Sequence, residues 1–325
     1  MSERFWQDRR VFVTGCSGFL GSWLVAALVK RGASVVGLLR DHVPQSMLFR
    51  DDTAARIRLV NGDLSDITFL ERVLAEYEVQ TVFHLAAQTI VGIANRSPLS
   101  TFETNIRGTW QLLEAARHAP QIDGFVVASS EKAYGEPHEL PYVEEHRLQG
   151  RHPYDVSKSC VDLIAQTYAV TYGLPVTITR FSNLYGGGDL NWNRLIPGTM
   201  RSVLRGEPPV IRSDGAFKRD YVYVEDAVSA YLALAERSAE PGICGQPFNF
   251  GLGRPVTALE VVQTIIAVSE FPDLRPIILD EVRHEIRDEY LSPAKAQRLL
   301  GWQPQETLDS GLRKTMLWYR DYLGL

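Results

Sequence analysis

The chain has 325 residues, 22% of them charged and 45% hydrophobic, with a formal net charge of −5. This composition excludes wholesale disorder, a collagen-like repeat and a membrane bundle, and no run of Lys or Arg is dense enough to follow a phosphate backbone. Cys16, Cys160 and Cys244 are too few and too scattered for a disulfide framework or a metal cluster, and the charged N-terminus lacks the apolar run of a signal peptide, so a reducing, cytoplasmic setting is expected.

Residues 11–13 form a short apolar run that ends at a glycine turn, and residues 19–31 read as a helix closed by Gly32. Residues 34–39 are again continuously apolar, as a strand buried on both faces should be. Strands are predicted at 58–60, 81–85, 125–128 and 176–179, with helices at 101–118 and 153–172. Strands alternating with helices predict an α/β fold: a Rossmann-type, doubly wound parallel sheet with right-handed crossovers. Beyond residue 183 the pattern loosens, and from 272 onward it is strand-poor. The expected division is a dinucleotide-binding domain over 1–182, to which the chain returns around 219–250, and a smaller C-terminal α/β substrate lobe over 183–325.

The turn Thr14-Gly15-Cys16-Ser17-Gly18-Phe19-Leu20-Gly21 lies between a predicted strand and a predicted helix. Gly15 permits the tight turn, Gly18 lets a pyrophosphate approach the backbone, and Gly21 lets the helix pack closely. The helix N-terminus then offers unpaired N–H groups to phosphate. The second strand ends Leu38-Leu39-Arg40-Asp41. An arginine there leans towards the 2′-phosphate of NADP, with NAD and an Asp41–ribose contact as the alternative. Asp63 is placed either to accept from the adenine amino group or to cap the next helix.

Tyr154 and Lys158 stand one helical turn apart, on one face. A neighbouring ammonium stabilises phenolate, which would make Tyr154 a base near neutral pH. Ser129-Ser130-Glu131-Lys132 emerges at the carboxyl end of a strand, the edge where open α/β sheets bind ligands.

The motifs TGCSGFLG, GDLSD, HLAAQ, TNIRGT, SSEKAYG, YDVSK, RFSNLYGGGD, LIPG, KRDYVYVEDA, FNFG and KAQRLLGW together resemble the extended short-chain dehydrogenase/reductase family. Within it the chain looks most like the nucleotide-sugar 4,6-dehydratases, especially the CDP-glucose type. The resemblance implies that Ser130 hydrogen-bonds the sugar O4, that Tyr154 is the base, and that Lys158 binds the nicotinamide ribose. It places Glu131 and Lys132 on the pair that performs elimination, with Glu131 one methylene longer than the aspartate of that subgroup. It further implies cofactor contacts from Gly15, Ser17, Gly18, Phe19, Leu20, Gly21, Arg40, Asp63, Leu64, Leu85, Ala86, Ala87, Gln88 and Asn105. Substrate contacts are implied for Gln88, Ser130, Asn183, Arg194, Leu195, Arg219 and Arg283, the last followed by His284-Glu285 where the family has Gly-Asp.

The function expected is therefore an NAD(P)-dependent nucleotide-sugar 4,6-dehydratase that keeps and recycles its dinucleotide, with a 4-epimerase as the alternative. A non-catalytic dinucleotide-binding module is disfavoured because Tyr154 and Lys158 are both present. No metal, nucleic acid or membrane partner is expected. The helices at 101–118 and 153–172 carry apolar residues on more than one face, Trp110, Leu112 and Leu113 in the first and Val161, Leu163 and Ile164 in the second. With the family resemblance, this predicts a homodimer through an intersubunit four-helix bundle.

Overall fold

Val11 and Val13 are buried in one hydrophobic cluster and Phe12 in another, because successive strand side chains point to opposite faces of a sheet that is covered on both sides. The computed structural model describes residues 3–136, 139–281 and 286–325. Its central sheet has seven strands: β1 (Arg10–Thr14), β2 (Ser34–Leu39), β3 (Arg58–Asn61), β4 (Thr81–His84), β5 (Gly124–Ala128), β6 (Val176–Phe181) and β7 (Pro247–Phe250). They lie in the order β3-β2-β1-β4-β5-β6-β7, and every neighbouring pair is parallel. The chain winds outward from β1 to β3 and then restarts at β4 on the other side of β1. That reversal leaves a crevice at the carboxyl ends of β1 and β4.

Helices Phe19–Lys30 and Val224–Glu236 supply Leu24, Leu28, Leu232 and Tyr231 to the cluster on one face. Helices Ile67–Glu76, Gly108–Arg117 and Pro153–Tyr172 supply Leu70, Leu112, Val161 and Ala165 to the other. The helix predicted at 101–118 is divided into Pro98–Phe102, a π turn at Glu103–Arg107 and Gly108–Arg117. The wider turn carries Asn105, which is buried.

A third cluster joins helices Leu195–Leu204, Ala258–Ala267 and Leu308–Leu323 through Ile196, Met200, Val262, Ile265, Leu312 and Met316. Short strands flank it: Lys218–Arg219 pairs with Val256–Thr257 and with Asp288–Glu289. The tail is more regular than the sequence predicts. Helix Leu308–Leu323 starts with a Thr307–Ser310 capping box, and Leu312, Met316 and Tyr319 recur at helical spacing on its buried side. The segment carrying Ala296 and Trp302 also packs back against the sheet cluster. Among the described residues, no helix is long and apolar enough to cross a membrane.

Candidate active site

The glycine turn follows β1 and meets the backbone that follows β4. Gly15 has φ 72°, and a Cβ there would lie 2.8 Å from the Ala86 nitrogen. A Cβ on Gly21 would lie 2.0 Å from the Gly15 carbonyl oxygen, so the first turn of helix Phe19–Lys30 can pack on the loop only without a side chain. This helix opens on Gly18 with no side-chain cap and no acidic residue in its first turn. Its leading N–H groups and dipole are available to an anion. Gly15, Ser17, Gly18, Phe19, Leu20 and Gly21 line a cleft of about 1270 Å³. The turn's glycines thus form a cradle that fits a dinucleotide pyrophosphate.

At one end of the cleft, Arg40 pairs with Asp41 at 2.7 Å, both exposed. Asp63 accepts from the Ser65 N–H at 2.8 Å, and this bond holds its carboxyl below the usual range. The helix-capping role weighed for Asp63 belongs instead to Asp66, whose carboxylate accepts from the Phe69 N–H and whose position immediately precedes the helix. Asp63, Leu64, Leu85, Ala86 and Ala87 all face the cleft.

Gln88 and Asn105 bond to each other beside the cleft residues Ala87 and Thr104. Asn105 Oδ1 accepts from the Gln88 N–H at 2.7 Å, and its amide donates to Ser157 Oγ at 2.9 Å. The side chain therefore shapes the loop after β4 and ties it to the Tyr154 helix. His84 bridges the Thr14 and Thr109 hydroxyls at 2.8 and 2.9 Å. Burial, aided by the Lys158 charge, lowers it to about 3, so it is a neutral structural imidazole.

Helix Pro153–Tyr172 starts with proline in its first turn and ends on Gly173 in the left-handed conformation. Its first turns deliver Tyr154 and Lys158 to the cleft beside Ser130, Glu131 and Lys132 from the end of β5. Burial raises the Tyr154 phenol above its usual value, against the expectation of a phenol lowered by Lys158, and the neighbouring Ser130 hydroxyl and Arg194 charge only partly oppose this. Lys158 plays less of that role than the sequence predicts. Its ammonium donates to the Ala128 carbonyl at 2.6 Å, and burial lowers it to about 8.

Glu131 is only 2% exposed. Its Oε1 accepts from the Asn183 amide at 3.3 Å, while Oε2 has no hydrogen-bond partner. Burial and the nearby Glu289 raise its carboxyl well above the ordinary value. Lys132 donates to Glu289, which is fully buried. Arg219 Nε lies 3.3 Å from the same Glu289 oxygen, and its terminal nitrogens donate to the carbonyls of Ile286 and Arg287. Arg194 pairs with Asp189 at 3.0 Å at the head of helix Leu195–Leu204. Arg194, Leu195, Asn183 and Arg219 face the cleft, whereas Arg283 lies outside the described residues. Among the described residues, no cluster of His, Cys, Asp or Glu could hold a metal ion.

Sequence reasoning missed Glu289. It is 157 residues from Lys132, and its immediate neighbours carry no motif that would mark it. Arg201 and Arg212, also on the cleft wall, were missed as isolated charges in an irregular stretch.

The arrangement matches known proteins along its whole length. The model of a family described as GDP-mannose 4,6 dehydratase matches residues 12–315. A CDP-glucose 4,6-dehydratase of Salmonella typhimurium is 31% identical, over 99% of this chain and 94% of that protein. A dTDP-glucose 4,6-dehydratase of Neisseria gonorrhoeae is 33% identical over 96% of each. Among solved structures, UDP-glucose 4-epimerase from Thermotoga maritima with UDP-glucose superposes with a TM-score of 0.88, at 29% identity, covering 97% of this chain and 99% of that one. A dTDP-glucose 4,6-dehydratase from Streptomyces venezuelae with NAD bound superposes at 0.83, at 30% identity, over 97% and 98% of the two chains.

Proposed function

This chain belongs to the GDP-mannose 4,6 dehydratase family, and from that premise we propose that it converts a nucleotide-diphosphate hexose into its 4-keto-6-deoxy derivative. The observation that carries the reading is the Glu131–Lys132 pair, which faces the same cleft as Tyr154 and Ser130. A 4-epimerase has no use for an ionisable pair beyond the base and its partners. The nicotinamide dinucleotide, when bound, supplies a hydride acceptor for C4 and a hydride donor for C6.

Tyr154 takes the O4 proton, and Ser130 holds that oxygen in line. Glu131, whose protonated form is favoured by burial and by Glu289, gives its proton to the departing C6 hydroxyl. Lys132 takes the C5 hydrogen, acidified by the adjacent 4-keto group. Lys158 holds the nicotinamide ribose, and the turn from Gly15 to Gly21 holds the pyrophosphate, with Asp63, Leu64, Leu85, Ala86 and Ala87 around the remaining cofactor and Gln88 and Asn105 shaping the wall. The nucleotide sugar enters between the dinucleotide-binding domain, over 1–182 with the return around 219–250, and the lobe formed mainly by 183–325, where Asn183, Arg194, Leu195 and Arg219 face it.

Arg40 inclines the site towards NADP, and Asp41 offsets part of that preference by pairing with the guanidinium. Denaturing the purified protein and identifying the released dinucleotide decides the point, and NAD alone would remove the Arg40 argument. The homodimer reading rests on apolar side chains exposed on the helices of one face: Trp110 (42%), Leu163 (55%) and Val170 (83%). Light scattering at micromolar concentration tests it. The reaction itself is tested by incubation with CDP-, dTDP-, UDP- and GDP-hexoses followed by mass spectrometry. Loss of one water is expected. Unchanged mass with altered retention would make the enzyme a 4-epimerase.

A further inference from the structure

Glu289 takes no part in the steps assigned to Ser130, Tyr154, Glu131 and Lys132, yet it is built into their midst. Strand Asp288–Glu289 runs parallel to Lys218–Arg219 in a register that sets Glu289 beside Arg219. The Arg219 guanidinium clamps the approach to this strand by donating to the Ile286 and Arg287 carbonyls at 2.6 and 2.7 Å. On the other side the Tyr142 N–H donates to the Tyr290 carbonyl at 3.0 Å, and the Ser292 N–H donates to the Tyr142 carbonyl at 2.9 Å. The carboxylate is thus fixed in place by backbone on both flanks. Glu289 Oε2 receives Lys132 and Arg219, while Oε1 is buried with no hydrogen-bond partner. The proton shared with Lys132 therefore lies at Oε2, the oxygen that Arg219 also approaches.

The chemistry makes use of such a position. An amine can take the C5 hydrogen only when neutral, and the Lys132 amine is hydrogen-bonded to the Glu289 carboxylate. Resting on the 4,6-dehydratase reading, we infer that Glu289 is the positioning residue that frees the Lys132 amine, by accepting the proton shared between them once the 4-keto hexose is seated. The neutral amine then takes the C5 hydrogen as the C6–O bond breaks, and the Glu131 proton leaves with the hydroxyl as water. After hydride has reached C6, the Lys132 ammonium returns its proton to C5, and Glu289 returns its own to Lys132. Glu131 takes a proton from solvent, matched by the O4 proton that Tyr154 releases, so the cycle balances.

Glu289 acts on Glu131 as well. The groups that face it are Lys132 and Glu131 from the turn after β5, Arg219 from the neighbouring strand, Tyr142 from the loop alongside, and Asp155 from the Tyr154 helix, and Glu131 is faced in addition by Asp220, Tyr154 and Tyr221. Its negative charge helps keep Glu131 protonated. Elimination needs that proton and is lost as pH rises past the Glu131 midpoint. Removing the Glu289 charge lowers the midpoint, so the alkaline limb of the elimination moves to lower pH.

The test uses the holoenzyme with CDP-glucose and dTDP-glucose in deuterated water. It follows cofactor reduction by near-ultraviolet absorbance, 4-keto-6-deoxy product by mass spectrometry, and deuterium at C5. Glu289→Gln is expected to reduce the cofactor at the wild-type rate while product and C5 exchange fall roughly 10²-fold, with the alkaline limb moved down. Glu289→Asp is expected to recover part of the product rate. If Lys132→Ala stalls but Glu289→Gln keeps the wild-type product rate and pH profile, the Glu289 inference is overturned and the dehydratase reading stands. If Lys132→Ala also forms product normally, the dehydratase reading falls with it. If both Glu289 variants lose cofactor reduction together with product, Glu289 serves packing alone and the inference is overturned.

Discussion

The dinucleotide end of the cleft and its acid–lysine end are assembled in opposite ways. The first is eight consecutive residues, Thr14 to Gly21, whose shape is set by backbone and by the absence of side chains. The second gathers Glu131, Lys132, Asn183, Arg219 and Glu289 from four separate segments and holds them by buried charge and hydrogen bonds. A backbone cradle works for any ligand with a pyrophosphate, so it is indifferent to the reaction. A buried cluster with two carboxylates and two cations is costly to desolvate, and its protonation pattern is specific to one chemistry.

Tyr154→Phe gives the largest expected separation of the two ends. The ring still fills its place beside the cleft, so the dinucleotide is retained, while turnover falls on the order of 10²–10⁴-fold. Single-turnover cofactor reduction measures this directly, and full activity in the variant would remove Tyr154 from the mechanism.

Asp162→Ala probes the scaffold of the assembled end. Arg180, in β6, is 2% exposed and makes two bonds to the Asp162 carboxylate at 2.7 and 2.9 Å and one to the Tyr134 hydroxyl. That network fastens the Tyr154 helix and the Glu131–Tyr134 turn to the sheet. Stranding the guanidinium should cost about 3–5 kcal/mol, read by urea denaturation, with the catalytic half-reactions weakened together.

Gly21→Ala attacks the other end. Its Cβ would sit 2.0 Å from the Gly15 carbonyl, so the loop or the helix must shift. A loss of roughly 3 kcal/mol is expected, together with purification free of dinucleotide. A variant that keeps its cofactor would show the cradle to be less dependent on close packing than its geometry implies.

The smallest effect is a pH dependence at the junction of the two ends. Lys158 is lowered to about 8 by burial, so its charge is present below that pH and lost above it. The cofactor-reduction step should therefore gain a descending limb above about pH 8, approaching a tenfold fall per pH unit. A flat profile from pH 7 to 10 would show that the Lys158 charge is not needed for hydride removal at C4.

The sequence by itself determined the strand–helix alternation, the glycine turn, the Tyr154–Lys158 pair and the Ser130-Glu131-Lys132 run. Each is written in contiguous residues, where periodicity, glycine spacing and one helical turn act over short range. Helix Leu308–Leu323 was equally local, but its capping box uses Ser310 in place of the usual Glu or Gln, and the tail reads as irregular without that signal. Only the tertiary structure decided which charges meet. Asp66 rather than Asp63 caps its helix because the next turn begins at Ile67. Asn105, carried by the π turn, meets Gln88 and Ser157 through hydrogen bonds across 17 and 52 residues of chain. Glu289 reaches Lys132 because two-residue strands fix its register against Arg219. Such short pairings leave almost no periodic trace in the sequence, and a carboxylate's electrostatic partner is set by distance in space, to which separation along the chain is no guide.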